Sequence, residues 1–383
     1  MELGQGTGPL RGVKIVELAG IGPGPHACMT LADLGADVIR IDRPGGQMLS
    51  FGEKDFMGRG RPTIALNLKD PAAVETVLKL VESADVLIEG NRPGVTERLG
   101  LGPEDCFARN PKLVYGRMTG WGQDGPLAQA AGHDMNYISI AGALFAMGQD
   151  KTRPQFPANL LGDFGGGSMY LVVGVLAALL EARISGQGQV VDAAIVDGTA
   201  HLNAMGALMV GIGLAQPDQR ASGMLDGAAA FYDVYETSDG RHMSVGAIEP
   251  QFFAAFVDLL GIAESAPQQF EFDRVEELRD LIARTFRTRT MAEWTAVFEG
   301  TDACVAPILT IPEAAEHPHM KARGVYADRD GMLQPAPAPR FSRTAPSIGM
   351  PAAAAGSHTR DALAAWGIDD VDALIESGAA AQP

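Results

Sequence analysis

At 383 residues the chain exceeds the length at which single hydrophobic cores usually divide, so two domains are expected. A formal charge of −17 and a pI near 4.8 exclude nucleic-acid binding through bulk electrostatics, while leaving room for a local basic pocket. Hydrophobic content of 46% with 20% charged residues is ordinary for a soluble globular enzyme.

The first element is "VKIVEL", a β-branched run ending at Leu18, followed by "GIGPGPHACMTLADLGADVIRID" from Gly20 to Asp42. Strand, closely spaced glycines, helix and second strand make a Rossmann-like β-α-β unit. Asp42 lies about 20 residues after Gly22, where a ribose-binding acid is expected in nicotinamide enzymes. Pro23 and Pro25 remove two N–H donors from the turn that should wrap a pyrophosphate, which argues against a dinucleotide. Pro25 does suit the first turn of a helix. After the helical "DPAAVETVLKLVESA", further strands follow at "DVLIEG" (85–90) and "LVYGRM" (113–118). "YLVVGVLAALLEARISG" reads as a buried helix ended by Gly186, and "GQVVDAAIVDG" as another strand. Such alternation predicts a parallel α/β sheet over residues 1–200.

From about 225 the texture changes. "FYDVYETSDGRHMSVGAI" reads as two strands joined at Asp239-Gly240, and helices are expected near 250–260, 274–286 and 290–299. Residues 225–325 are assigned to a smaller α+β domain, with 201–224 and 326–345 as linkers. "LQPAPAPRFSRTAPSIGMPAAAAG" is a proline- and alanine-rich extended connector, and two short helices, "TRDALAAW" and "DVDALIES", close the chain.

Cys28, Cys106 and Cys304 offer neither a disulfide framework nor zinc spacing, and a reducing cytoplasm is the simplest reading. The N-terminus lacks the apolar core of a signal peptide, and "AAQP" is no peroxisomal address. The run "MYLVVGVLAALL" is short of the ~20 residues a membrane span needs.

Few groups carry obvious chemistry. His317 and His319 flank Pro318 without a third ligand at motif spacing and read as a solvated loop. His26 reads as a capping or packing residue beside Pro25. "AGHDMNYIS" sets His133 beside Asp134 at a helix start, a plausible general base. Asp134 as an N-cap with His133 a loop residue suits the segment equally. In "NLLGDFGGGSMYLVVG", Asp163 precedes three glycines that allow close backbone approach by a ligand, just before a helix beginning near Ser168. The alternative is an acidic turn before that helix. "DFG" matches the kinase metal-binding triplet, but no catalytic loop accompanies it. Glu249 ends a strand before Pro250. These residues suit proton transfer, or Asp163 as a nucleophile, and spacing does not choose.

Nearly the whole chain closely resembles the α-methylacyl-CoA racemases of the family III CoA-transferase superfamily. The stretches that carry the resemblance are "IVELAGIGPGP", "LGADVIRIDRP", "DVLIEGNRPGV", "ERLGLGP", "RMTGWGQDGP", "GHDMNYIS", "GDFGGGSM", "GQVVDAAIVDG", "VGAIEPQF", "DACVAPIL" and "APRFSRTAPS". The resemblance implies a Rossmann-like large domain (1–200, completed by about 330–383), a small α+β domain between, and two interlocked subunits. It implies racemisation of 2-methylacyl-CoA thioesters in lipid metabolism, with His133 and Asp163 as the two bases. Glu249 then supports the histidine, and Asn159 and Asp134 are further members of the catalytic group. Implied CoA contacts are Arg43 at the adenine end, Leu66, Asn67, Leu68 and Lys69, Gly90, Asn91 and Arg92, Arg98, Gly132 and Tyr137. In "GGQMLSFGEKDFMGRGRPTI" relatives often carry a basic cluster, and here only Arg59 and Arg61 remain, so phosphate binding by this segment is not expected.

No metal or redox cofactor is called for, since CoA is part of the substrate, and a homodimer without nucleic-acid or membrane partners is expected. The nearest alternative is a CoA-transferase in which Asp163 attacks the acyl-CoA. His133 favours the racemase, because transferases sharing the Asp motif generally lack that histidine.

Overall fold

The computed structural model describes residues 2–46, 51–149, 151–329 and 331–383. Two compact units emerge, one of Met1–Gly142, Pro157–Leu202 and Gly324–Pro383, the other of Ala143–Phe156 and Asn203–Arg323.

The first unit is built on parallel strands β1 (Lys14–Leu18), β2 (Asp37–Asp42), β3 (Thr63–Leu66), β4 (Val86–Glu89), β5 (Val114–Thr119) and β6 (Gln189–Ala194). Its helices are α1 (Pro23–Asp33), α2 (Pro71–Ser83), α3 (Val95–Arg98), α4 (Pro103–Arg109), α5 (Asp134–Ile140), α6 (Met169–Ser185) and α7 (Ile195–Leu202). Both sheet faces are covered, as the near-continuous apolar runs of the strands require. Val16, Ile39, Leu87 and Tyr115 pack with α2 in one core, while Ile15, Val38, Val86 and Val114 pack with α1 and α6 in the other. The alternation of odd and even positions along β1 follows the two-residue period of a strand. Asp70 caps α2 by accepting from the Ala72 N–H at 2.8 Å, and Pro71 fills the first helical position.

Two predicted elements differ. The strand read in "GQVVDAAIVDG" stops at Ala194, and Ile195 begins α7. The glycine-rich "LLGDFGGGS" is not a turn: Leu160–Ser168 is π-helical, with the Met169 N–H donating to the Phe164 carbonyl, and runs straight into α6. The apolar helix is therefore 26 residues, Leu160–Ser185, long and apolar enough to cross a membrane by length and composition, although 44% of its most apolar window is buried within the protein. Gly186, with φ of 77°, ends it.

The glycines explain the π-helical turn. A Cβ on Gly198 of α7 would lie 1.9 Å from the Gly166 carbonyl, and one on Gly166 would lie 2.7 Å from the Thr199 nitrogen. A Cβ on Gly167 would meet the Ile195 side chain at 2.9 Å and Pro23 at 3.2 Å. At Gly166 and Gly167 the close approach expected of a ligand is made instead by α7 and α1.

In the second unit, β7 (Tyr232–Glu236), β8 (His242–Gly246) and β9 (Val305–Pro307) form an antiparallel sheet in that order. Around it stand α8 (Ala204–Gly211), α9 (Pro250–Leu260), α10 (Val275–Phe286), α11 (Met291–Phe298), α12 (Ile311–Glu316) and α13 (Pro318–Ala322). Phe256, Phe286, Trp294 and Phe298 fill its core. Residues 143–156 join this unit because buried Arg220 donates to the carbonyls of Phe145, Met147 (2.6 Å) and Gly148 (2.8 Å). His317 and His319 are tied locally: the His317 ring accepts from the His319 N–H at 3.2 Å and caps α13.

The chain then returns to the first unit. The proline-rich connector contains half of an antiparallel hairpin, β10 (Tyr326–Arg329) with β11 (Met332–Pro335). Helices α14 (Thr359–Ala365) and α15 (Val371–Glu376) precede β12 (Ala380–Ala381), which adds antiparallel to β3 and completes the order β12-β3-β2-β1-β4-β5-β6.

Gly198→Ala is expected to destabilise the fold by at least about 1–3 kcal/mol, since the clash is with backbone. Gly211→Ala, whose Cβ meets nothing within 4 Å, should be neutral or slightly stabilising in the same denaturant titration.

Candidate active site

Parallel strands carry all their following loops at one edge, and ligands in open α/β sheets bind there, where the strand order reverses. Here the chain winds from β1 through β2 to β3 in one direction and takes up β4 and β5 on the other side, so the reversal lies between β1 and β4. A cavity of about 410 Å³ opens at that point. Its walls are Gly20–Pro25 after β1, Gly90–Pro93 after β4, Thr119–Trp121 after β5, and Gly132, His133, Tyr137 and Asp163.

The β1 wall is not a phosphate cradle. Gly22, with φ of 71°, precedes α1; Pro23 and Pro25 carry no N–H, and the His26 N–H bonds back to the Gly22 carbonyl at 3.2 Å. Of these first-turn residues only Gly24 has a donor to offer. Asp42 has no freedom to hold a ribose: it is buried and accepts from Arg40 Nε at 3.1 Å and Thr63 Oγ1 at 2.7 Å.

Asp163 projects from the π-helical turn and is half-buried. A Cβ on Gly22 would stand 3.6 Å from its Oδ2, so glycine at 22 lets the carboxylate lie against the α1 terminus. Asn159 Nδ2 donates to Oδ2 at 3.2 Å. Burial pushes the Asp163 carboxyl above its ordinary value, the Asn159 bond and His133 oppose the shift, and Asp134 adds to it.

His133 is the N-cap of α5 and is exposed, with its N–H donating to Asn136 Oδ1 at 3.0 Å. Asp134 is therefore not the cap. Its buried carboxylate reaches across and accepts from the Asp163 N–H at 2.7 Å, linking the two motifs. Gly162 allows this, because a Cβ there would lie 2.4 Å from Asp134 Oδ1.

Tyr137 lies edge-on to Trp121 at 4.8 Å between centroids, and its hydroxyl donates to the Gly132 carbonyl. Any side chain at Gly120 or Gly132 would strike its ring. Burial raises the Tyr137 pKa, so it stays a phenol. The Gly90–Arg92 loop is held by Glu89, which accepts from the Asn91 N–H at 2.6 Å and from Arg117 Nε at 2.9 Å.

The structure thus brings His133, Asp163, Asn159, Asp134, Gly132, Tyr137, Gly90, Asn91 and Arg92 around one cavity or its immediate support. Arg43 and Leu66–Lys69 follow β2 and β3 along the same sheet edge, with Arg43 exposed and bonded through Nε to the Gly46 carbonyl at 2.5 Å. The Leu66 side chain is buried in the core and offers only backbone, while Lys69 is exposed. Arg98 is exposed on α3. Glu249 belongs to the second unit, where it is exposed as the N-cap of α9, and its charge adds to the burial that raises the Cys304 thiol.

Arg59 and Arg61 are buried ion-pair partners, Arg59 of Asp33 at 2.5 Å and Arg61 of Glu17 at 2.6 Å, and face no ligand. Residues 47–50 of that segment lie outside the described residues. Trp121, in "TGWGQDGP", carries no ionisable group to mark it in the sequence, yet with Thr119 and Gly120 it forms the β5 wall.

A family model described as CoA-transferase family III matches residues 10–359. The chain is 43% identical over 372 residues to the alpha-methylacyl-CoA racemase of Mus musculus, covering 95% of each chain. It is 41% identical over 337 residues to that of Homo sapiens, covering 88% of this chain and 87% of the relative. The human succinyl-CoA:glutarate CoA-transferase is 28% identical over 377 residues, covering 93% and 85%. Among solved structures, a CAIB/BAIF family protein from Brucella suis superposes with a TM-score of 0.82 at 27% identity, covering 94% of this chain and all of that one.

A carboxyl whose pKa is raised by folding stabilises the fold only while protonated, a contribution present below its ordinary pKa and lost as pH rises through the folded value. At neutral pH a charged Asp163 therefore costs stability. Asp163→Asn should melt at a higher temperature than the wild type at pH 7, with the gap closing as pH falls toward 4.

Proposed function

Because this chain belongs to CoA-transferase family III, we propose that the His133–Asp163 pair racemises 2-methylacyl-CoA thioesters. The observation that carries the reading is that two proton-transfer groups of different chemical type, His133 and Asp163, wall one cavity. Identity above 40% to racemases over most of the chain supports the substrate class.

The chemistry follows from the substrate. One base takes the α-proton, the electrons move into the thioester carbonyl, and the enolate oxygen is stabilised by hydrogen bonds. The other base delivers a proton to the opposite face, which inverts the carbon and restores the thioester. In the reverse direction the roles exchange. A raised Asp163 pKa makes its carboxylate a stronger base for the weakly acidic α-proton. No metal or redox group has a task in this sequence.

A cavity of about 410 Å³ suits a thioester and its neighbouring carbons rather than a whole CoA. The nucleotide end is then expected outside it, along the β2 and β3 edge, where Arg43 and Lys69 are exposed. Three unpaired cysteines suit a reducing cytoplasm.

A CoA-transferase is the second reading, and the two separate cleanly. Racemisation never breaks the thioester, so hydroxylamine should trap no acyl-aspartyl enzyme. His133→Ala and Asp163→Ala should each lower inversion by about 10²-fold or more in both directions. Each variant should still exchange the α-proton of one enantiomer in deuterated water, and the two should prefer opposite enantiomers, as proton NMR of pure enantiomers will read. CoA transfer retained by His133→Ala, together with a trapped acyl-aspartate, would establish the transferase instead.

A homodimer is part of the proposal. Met169, Val173, Leu180 and Ile184 stand exposed along one face of α6, with Ile140 exposed on α5, an apolar stripe of the kind that marks a protein–protein contact. Sedimentation should give about twice the 40.2 kDa chain mass, and a fully active monomer would refute it.

A further inference from the structure

The first turn of α1 and the π-helical turn that bears Asp163 meet at three successive levels. Gly22 lies against the Asp163 carboxylate and Pro23 against Gly167. At the third level, His26 lays its ring against Phe164, 4.6 Å between centroids and tilted by 36°, and its Nδ1 is 2.7 Å from Ser168 Oγ. Ser168 is fully buried. One histidine thus grips the residue next to Asp163 and the last residue of the turn, four positions on. The sequence alone makes His26 a cap or a packing residue; the fold makes it the polar fastening between the turn and α1.

The fastening matters because π-helical geometry with three consecutive glycines is weakly self-supporting. Asn159 holds Asp163 from its own turn and Asp134 from α5. On the α1 side, glycine and proline supply van der Waals contact alone, and His26 supplies the hydrogen bond. Burial and the charges of Arg59 and Arg61 lower the His26 pKa, so the ring stays neutral near pH 7 and its hydrogen bond with Ser168 does not switch there.

We propose that His26 is a positioning residue for Asp163, setting the carboxylate's place against Gly22 through its bond to Ser168 and its contact with Phe164. The inference rests on the racemase reading for its kinetic readout, and on geometry alone for its spectroscopic one. A carboxylate displaced from its proton-transfer position loses rate more than binding.

The test uses His26→Phe, which keeps a ring on Phe164 but removes the bond, Ser168→Ala, which removes the bond from the other side, and His26→Asn, which can restore a hydrogen-bonding group near the Nδ1 position. Inversion by His26→Phe should fall about 10–100-fold in kcat with KM within about twofold. Ser168→Ala should resemble it, the double variant should be no worse than either alone, and His26→Asn should recover most of the loss. Exchange of the enantiomer deprotonated by Asp163 should fall in parallel, while that deprotonated by His133 changes little. Equal loss in both exchange directions, or no loss at all, overturns the proposal.

A second readout is independent of turnover: carbon-detected NMR titration of Asp163, assigned with Asp163→Asn. The groups around this carboxylate are Asp134, His133, Asn159 and Tyr137. In His26→Phe a loosened turn admits water, so the Asp163 pKa should drop toward the ordinary carboxylate value and return in His26→Asn. An unchanged titration overturns the positioning role even if the wild type proves to be a transferase. Absence of inversion by the wild type, with the titration shift present, overturns only the racemase reading.

Discussion

Everything at this site depends on how closely the π-helical turn Leu160–Ser168 lies against its neighbours. Backbone meets backbone where Gly166 faces Gly198, and the first turn of α1 covers Gly167. Only residues without a Cβ permit those distances. Once the turn is seated, Asp163 has one place to go: beside Gly22, with its N–H on Asp134. The three glycines are a packing device first, and the carboxylate's position follows from the packing.

That seating also determines the electrostatics. A carboxylate on an ordinary helix start would enjoy free N–H groups and a depressed pKa. Asp163 instead faces an α1 terminus that two prolines leave with Gly24 as its one free donor, with a second carboxylate behind it. Its pKa rises because burial outweighs the Asn159 hydrogen bond and the charge of His133. The turn that offers a pyrophosphate almost no donors offers this carboxylate almost none either. The cost is stability: the protein holds a charge where folding would prefer a neutral group, as functional sites commonly do.

The buried ion pairs have a separate task. Asp33 with Arg59 and Glu17 with Arg61 tie α1 and β1 to the segment that leads into β3. Removing one member of such a pair leaves the other charged and buried, so these arginines are committed to the fold. A count of basic residues near a phosphate-binding segment overstates what is available to a ligand.

The parallel sheet, five of its strands and the stop of the long apolar helix at Gly186 were legible in the sequence, because apolar periodicity and a terminal glycine act locally, whereas the short β3 and β12 were not read. The histidine and aspartate motifs stood out because His133 and Asp163 each stand beside unusual glycines or charges, and the fold sets both on one cavity. Local pattern did not reveal that Asp134 serves Asp163 rather than capping α5, that Asp42 is consumed by Arg40 and Thr63, or that His26 bonds the last residue of the π-helical turn. Those are contacts between residues from 21 to 142 positions apart, except the salt bridge within β2. Only strand order decides them: β1 and β4 lie side by side, which brings the loop after each strand to one cavity. Periodicity reports which face of an element is apolar, whereas the partner of a buried polar atom is chosen by what the closed core places within three ångströms of it.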